Sequence, residues 1–420
     1  MKLELSAMNK LDEMSIYEMI SSNPENHTFP QSVYNSQAAF DFDMKAVYFR
    51  SWLQAGAACE IPKSGDYLTV SIGESSIIII RAADGRIAAY HNTCRHRGAL
   101  LLDKDKGNSR RLVCPYHQWT YGLDGKLLFA KSMQDSFCKE THSLKPVHCK
   151  VVSGVIFICI DDNPPDFEQF SQDLSQYLDF HKLNDCKVAY EATVVEYANW
   201  KLVLENGREC YHCDARHPEL LTAFRDPTAE DYFGQIPAWL SAFNDTCAEN
   251  GVVVGQKEGV WYDMMRFPLA EGYESLTTDG KHACAKFLNQ ASTSNIGSFR
   301  WACEPNSFSH ALLDYAFTFE VWPVSPMVTH VKVKWLVHKD AVEGVDYSLE
   351  HLRELWEKTN DQDKWLAENN QAGVNSIGYG PGPYSEIDEP KVIDFVTWYR
   401  DMCDSYVAQL ASKRVPALEQ

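Results

Sequence analysis

Four side chains constrain this chain more than any other feature. Cys94 and His96 form a C-x-H, and after 17 intervening residues Cys114 and His117 close a C-x-x-H. Two sulfurs and two imidazoles can hold one zinc ion tetrahedrally. They can equally hold a two-iron, two-sulfide cluster, with cysteines on one iron and histidines on the other. The ligand types alone leave both open; their surroundings favour the cluster. Each Cys–His pair follows a short β-prone segment, as on two facing loops, whereas a zinc finger carries its histidine pair about three to five residues apart. One cysteine and one histidine per loop suits a cluster with chemically distinct ends. Neutral imidazoles in place of thiolates remove negative charge and raise the reduction potential. Arg95 and Arg97 add positive charge beside the ligands.

Composition narrows the remaining classes. The 420 residues carry 39 Lys+Arg against 58 Asp+Glu, a net charge of −19. Nucleic acid attracts basic surfaces, so it is excluded as a partner. With 45% hydrophobic and 23% charged residues the chain has a globular balance. Its longest apolar runs, such as Val155 to Ile160, are far short of the roughly 20 residues of a membrane helix. The start, MKLELSAMNK, has polar and acidic residues where a signal peptide has its apolar core. The expectation is a soluble, cytoplasmic protein without a membrane association. Its 13 cysteines, an odd number in a long chain, read mostly as buried thiols rather than a disulfide framework.

Three units are expected: a helical segment over 1–49 packing on the last unit, a small all-β unit over 50–160, and a larger unit over 161–420. In the first, Phe40, Met44, Val47 and Ser51 fall at helical spacing. In the second, Tyr67–Ile72, Ser76–Arg81 and Ile87–Asn92 read as strands, with Asp84-Gly85 and Asp124-Gly125 as hairpin turns and Val151–Ile160 as a closing strand. Asp161 to Asp166 is a linker rich in proline and acid. In the third, Val331, Val333, Trp335 and Val337 alternate as a strand with one wet face, and Asp346 to Gln371 reads as a long helix stopped near Gly373. The fold class is α+β.

A second constellation lies at Glu209, His212 and His217. The two histidines are five apart, about 140° around a regular helix, so the helix must break between them if they share one metal. Pro218 restrains His217 from continuing it. Cys210 and Cys213 form a C-x-x-C that invites a zinc or redox reading, although they flank His212 and would compete with it. Two histidines plus one carboxylate leave open positions on Fe(II) for dioxygen. On the late helix Leu349, Leu352, Trp356, Asp363 and Leu366 share a stripe. Asp363 is about 20° from Leu352 in angle, whereas Asp361 lies about 180° away. A carboxylate on an apolar stripe is costly unless paired or metal-bound, which selects Asp363 as third ligand over a capping or interface role.

CRHRGA followed by CPYHQWTY resembles the Rieske motif of the non-haem iron oxygenases, with Gln118 where many members have glycine. ENGRECYHCDARHPE and TNDQDKWLAENNQAG resemble the catalytic domain of the same family. The resemblance covers nearly the whole chain and implies an oxygenase (alpha) component with a small all-β Rieske domain and a catalytic domain built on a central antiparallel sheet flanked by helices. Residue by residue it implies a [2Fe–2S] cluster on Cys94, His96, Cys114 and His117, and mononuclear iron on His212, His217 and Asp363. Glu209 matches the carboxylate that bridges cluster and iron. Many ring-hydroxylating relatives have Asp there, four residues after the Asn; here it is Glu, three after Asn206. That departure points to the quaternary-ammonium branch. The segments KWLVHKDAVEGVDY and YGPGPYS are similar to those of enzymes that demethylate glycine betaine, with proline betaine, choline and carnitine as alternative substrates.

The resemblance further implies an N-demethylating monooxygenase that hydroxylates a methyl carbon on nitrogen and releases formaldehyde. It implies a homotrimer, since cluster and iron of one chain are too far apart for useful electron transfer. No G-x-G-x-x-G follows a strand, and the prolines of Gly378-Tyr379-Gly380-Pro381-Gly382-Pro383 exclude a dinucleotide loop. NAD(P)H electrons are therefore expected through a separate flavin and iron–sulfur reductase. A trimethylammonium group favours aromatic faces. Tyr211, Trp239, Trp261, Tyr262, Trp301, Tyr315 and Trp322 are candidates, each more often core than cage, and none is singled out.

Overall fold

The computed structural model describes residues 12–223, 237–293 and 295–414. The first eleven residues of the expected N-terminal segment lie outside these. Three helices open the described chain, α1 (Glu13–Ser21), α2 (Gln31–Asn35) and α3 (Gln37–Ala46). Asp12 and Ser36 start α1 and α3 by accepting from Ser15 N and Ala39 N, as short oxygen-bearing side chains do at helix N-termini. The helical spacing through Ser51 continues only to Ala46. The buried, β-branched Val47 takes φ −118° and a 3-10 turn covers Tyr48–Arg50.

The first sheet contains β1 (Leu53–Ala57), β2 (Asp66–Ile72), β3 (Ser75–Arg81), β4 (Ile87–His91) and β5 (Lys106–Asn108). A small second sheet holds β6 (Leu112–Val113), β7 (Thr120–Tyr121) and β8 (Leu127–Phe129). The chain then returns to the first through β9 (Pro146–Val152) and β10 (Val155–Cys159), giving the antiparallel order β1-β10-β9-β4-β3-β2-β5. The expected turns at Asp84-Gly85 and Asp124-Gly125 are present, with both glycines at positive φ. The single closing strand over 151–160 is corrected to a hairpin. Ser153 and Gly154 have φ of +50° and +91° and reverse the chain, a two-residue turn whose twist matches the flanking strands. A Cβ at Gly154 would also stand 2.9 Å from the Asn184 backbone nitrogen.

Asp161 to Asp166 carries no helix or strand. After α4 (Glu168–Leu178) comes β11 (Cys186–Glu196), then α5 (Trp200–Asn206), the one-turn helices α6 (Cys213–Arg216) and α7 (Pro218–Leu221), and α8 (Ala238–Glu249). Strands β12 (Gln256–Gly259), β13 (Tyr262–Phe267), β14 (Ser298–Cys303), β15 (Ser307–Ala311), β16 (Ala316–Ser325) and β17 (Val328–His338) complete an antiparallel sheet of order β11-β17-β16-β15-β14-β13-β12. Helices α9 (Leu349–Val374) and α10 (Pro390–Arg414) close the chain. The α+β class stands.

Two expectations in this half need correction. The wet face of β17 is partly dry: Lys334 and Leu336 are buried, because the first sheet packs there and the Lys334 ammonium reaches Glu60 Oε1 at 2.8 Å. Helix α9 starts at Leu349, capped by Ser348, since Asp346 instead accepts from Val342 N in the preceding turn. It ends at Val374 with Asn375 as its C-cap, so the expected stop near Gly373 stands.

The two large sheets are joined by a dry polar knot. Gln54 on β1 donates its backbone N–H to Asn306 Oδ1 and its amide to Ser309 Oγ, and accepts from Trp301 Nε1 and Asn306 Nδ2. All four residues are fully buried. Such a group is tolerable only when every polar atom is partnered, so the knot fixes how the first sheet sits on the second.

Two buried histidines on the second sheet's side make stability pH-dependent. His181 donates Nδ1–H to Leu312 O and accepts from Arg266 at Nε2. His310 shares a hydrogen bond with Ser298. Burial, reinforced by Arg266 and Arg300 respectively, pushes each down to about 3. The unfolded chain binds a proton at each near pH 6.5 that the folded chain refuses until about pH 3, so stability rises with pH across that window by about 1.4 kcal/mol per unit per histidine. Thermal melts should show Tm falling from pH 6.5 to pH 5, and His181→Asn should flatten that slope.

Candidate metal centres

The Cys–His pairs sit on twin loops that leave β4 and β6. Cys94 N donates to Ala99 O and Cys114 N to Trp119 O, both at 2.8 Å; Gly98 N and Gln118 N donate back to Cys94 O and Cys114 O. The equivalence explains Gln118: it takes the same left-handed conformation, φ +61°, as Gly98 at +83°, where glycine costs less. The loops bring the four residues together. Both cysteines are buried at 2% exposure, while the imidazoles of exposed His96 and half-buried His117 converge with their Nδ1 atoms 3.1 Å apart. Sulfurs inside and imidazoles at the rim form an S2N2 set with two different ends.

Sequence reading missed the residues that support this set. The Tyr121 hydroxyl lies 3.4 Å from Cys94 Sγ and accepts from Arg95 N. Trp119 stacks on His96 at 4.8 Å and 13°. Both stand in CPYHQWTY, so the signal was present as unexplained aromatics. Arg97 lies over the Tyr116 ring at 5.2 Å.

The second set is built on α5. Asn199 caps the helix, accepting from Lys201 N and donating to Tyr34 O and Pro326 O. Trp200 Nε1 and the buried Lys201 ammonium both reach Asp43 on α3, which also accepts from Tyr399 on α10. At the far end Arg208 makes a two-bond pair with Glu304 at 2.7 and 2.9 Å. Helix α5 is thereby held at both ends, and the chain leaves it directly into Glu209.

The helix breaks as the five-residue spacing requires. His212 precedes α6, and His217 separates α6 from α7 with φ −117° and ψ 56°. Their Nε2 atoms lie 3.0 Å apart. Asp363 on α9 brings Oδ1 to 2.9 Å from His217 Nε2 and 3.3 Å from His212 Nε2. Asp361 faces solvent. Glu209 Oε1 is 2.5 Å from His212 Nδ1, and its other oxygen accepts from the Tyr211 and His212 backbone N–H groups. The carboxylate thus fixes the His212 ring with Nε2 pointing at the convergence point. Gln362 Oε1, unforeseen from sequence, does the same for His217 through Nδ1 at 2.7 Å. Gln362 is polar beside a helix stripe, which resembles any solvated position, and only the fold places it against His217.

Burial opposes charging His212, but hydrogen bonds to Asp363 and Glu209 outweigh it and raise it to about 9. His217 is raised too, its pairing with Asp363 overcoming burial. Burial likewise opposes ionising Asp363, yet the two imidazoles hold it below the usual carboxylate range. A divalent metal must displace these protons, so loading of such a site is proton-coupled. Two imidazole nitrogens and one carboxylate oxygen at one point, with partners orienting both rings, suit a metal that keeps open positions. The donor chemistry therefore fits iron here and a [2Fe–2S] cluster on the twin loops.

Cys210 and Cys213 are joined as a disulfide, with Cα atoms 4.9 Å apart, contrary to the expectation of thiols. Of the aromatic candidates, Trp301, Tyr315 and Trp322 are core residues. Trp301 donates to Gln54 and Tyr315 to Leu276 O. Trp261 and Tyr262 pack with Phe170, Trp239 is half-buried and Tyr211 faces solvent.

Comparison with known proteins defines the class. Residues 51–141 match the Rieske [2Fe-2S] domain, and residues 183–405 match the ring hydroxylating alpha subunit catalytic domain. The chain belongs to the Rieske non-haem iron oxygenases, as an oxygenase component. It is 44% identical over 392 residues to the glycine betaine monooxygenase oxygenase subunit of Pseudomonas aeruginosa strain PAO1, covering 91% of each. It is 34% identical over 221 residues to the carnitine monooxygenase oxygenase subunit of Acinetobacter pittii, covering 51% of this chain and 58% of that one. In fold it is similar to a quaternary ammonium Rieske monooxygenase solved with γ-butyrobetaine, with a TM-score of 0.68, 21% identity, and coverage of 94% and 99% of the two chains.

Proposed function

We propose that this chain is the oxygenase subunit of a glycine betaine monooxygenase, converting glycine betaine and O2 to dimethylglycine and formaldehyde. The observation that carries this reading is its 44% identity to such a subunit across 91% of both chains. The carnitine relative matches only about half of this chain, which favours the smaller betaine. In this reading residues 50–160 hold the [2Fe–2S] cluster through Cys94, His96, Cys114 and His117. Residues 161–420 hold iron through His212, His217 and Asp363, with 1–49 packed on that unit. The bound groups supply single-electron storage and dioxygen activation at the substrate N-methyl carbon.

The chain's own residues do the rest. Glu209 and Gln362 accept from Nδ1 of the two imidazoles and aim both Nε2 atoms at one point. Exposed Tyr116 stacks on His117, exposed Leu100 and Val113 flank the two Cys–His segments in sequence, and exposed Tyr211 stands between Glu209 and His212. These exposed apolar residues near both centres favour contact between copies of the chain, and with the family resemblance they support a homotrimer in which each rim meets a neighbour's Glu209. Glu209 is then the bridge, hydrogen-bonded to His212 on its own side and to a cluster histidine across the interface. A separate NAD(P)H-dependent flavin and iron–sulfur reductase completes the system. No described helix is long and apolar enough to cross a membrane. The eleven free cysteines support a cytoplasmic location.

Three outcomes test this. With reductase and NADH, oxygen uptake and formaldehyde release should be matched one to one with glycine betaine and at least tenfold slower with proline betaine, choline or carnitine; faster turnover of one of those reassigns the substrate. Glu209→Gln should keep both metal centres by metal and sulfide analysis yet lose turnover by about 10²-fold or more; full turnover removes Glu209 from the bridge. Gln362→Leu, which frees the His217 ring, should weaken retention of the mononuclear iron about 10- to 100-fold while leaving the cluster's visible absorption unchanged.

A further inference from the structure

We propose that Cys210 and Cys213 form a reversible dithiol–disulfide pair whose oxidation state sets which metal the His212–His217–Asp363 site accepts. The inference rests on the reading of that site as the iron centre. The two cysteines bracket Tyr211 and His212, and their sulfurs are bonded. The eleven other cysteines are free, so this bond is not part of a stabilising framework. Cys210 is exposed and Cys213 is buried. The Cys213 sulfur and one donor atom each from His212 and His217 lie within 4.8 Å of one another. Backbone bonds from Cys213 N to Cys210 O and from His217 N to Cys213 O also tie this group together without involving the sulfurs.

The chemistry at the site differs between the two states. As a disulfide, Cys213 is withdrawn from ligation, and two nitrogens and one oxygen remain. That set leaves positions open and suits Fe(II). As a thiol, Cys213 offers a sulfur donor within 4.8 Å of a donor atom on each imidazole. A sulfur with two imidazole nitrogens suits zinc, which has no redox chemistry. Oxidation of the pair therefore protects the site for iron, and reduction opens it to zinc.

The interconversion is thiol–disulfide exchange with a low-molecular-weight disulfide, R–S–S–R. The exposed Cys210 sulfur attacks it, forming a mixed disulfide and releasing one R–SH. The Cys213 sulfur then attacks the Cys210 sulfur, forming the Cys210–Cys213 bond and releasing the second R–SH. The two protein sulfurs lose one electron each, the small disulfide gains two, and the two S–H protons leave on the two R–SH molecules. A small dithiol runs the sequence backward.

The test uses the full-length protein with its cluster in place. One sample is equilibrated with oxidised glutathione and one with a phosphine reductant; both are desalted and exposed without oxygen to equimolar Fe(II) and zinc. Alkylation and mass spectrometry read the state of Cys210 and Cys213. Metal analysis reads zinc, and iron in excess of acid-labile sulfide reads the mononuclear site. The zinc-to-iron ratio should be at least tenfold higher in the reduced protein. Cys213→Ser should hold the low ratio in both conditions, and Cys210→Ser, assayed with Cys213 shown by alkylation to be a free thiol, should hold the high one. A pair that does not exchange, or equal ratios in both states with iron bound, overturns the proposal alone. Absence of iron beyond sulfide in both states overturns the reading of the iron centre, and this proposal with it.

Discussion

Two histidines five residues apart cannot face one point from a continuous helix, and the catalytic half of this protein is arranged around that constraint. The chain solves it by ending α5, making one turn as α6, and restarting at Pro218. A segment so broken has little intrinsic stability, since single turns carry few internal hydrogen bonds. It stays in place because its two ends are anchored. Asp43, Trp200, Lys201 and Tyr399 hold the start of α5, and Arg208 with Glu304 holds its exit. Asp363 then reaches both imidazoles from the long, regular α9. Precision comes from the rigid helix and adaptability from the broken one.

The same division appears in the charges. Asp43 and Lys201 are fully buried, an arrangement that is expensive unless each charge is paired and further hydrogen-bonded. Asp43 meets that condition with three partners drawn from α5 and α10. The N-terminal helices therefore serve the distant iron site by fixing the element that leads into it. The Gln54 knot does comparable service between the sheets, setting the orientation of the twin Cys–His loops relative to the catalytic half of the same chain.

Much of the site was legible in the residues because its geometry is local. The twin loops need a Cys–x–His or Cys–x–x–His, a left-handed residue and a closing hydrogen bond, all within six positions, so they appear as a string. Asp363 was legible because helix periodicity converts spacing into direction. What escaped was non-local. Gln362 looks like any polar helix residue until His217 is beside it. Lys334 looked wet until Glu60 arrived from the 3-10 turn after β1. The closing hairpin was hidden in one apolar run because Ser153-Gly154 is a weak turn signal among strong strand formers.

The candidate donor residues, their spacing, the break between His212 and His217 and the family were determined by the amino-acid order itself, because each follows from backbone periodicity or from side-chain chemistry that no fold can alter. Tertiary structure alone decided which groups orient those ligands, which charges are buried, and that Cys210 and Cys213 meet beside the site. Those outcomes depend on distances between segments far apart in the chain, and such distances exist only once the sheets and helices have packed.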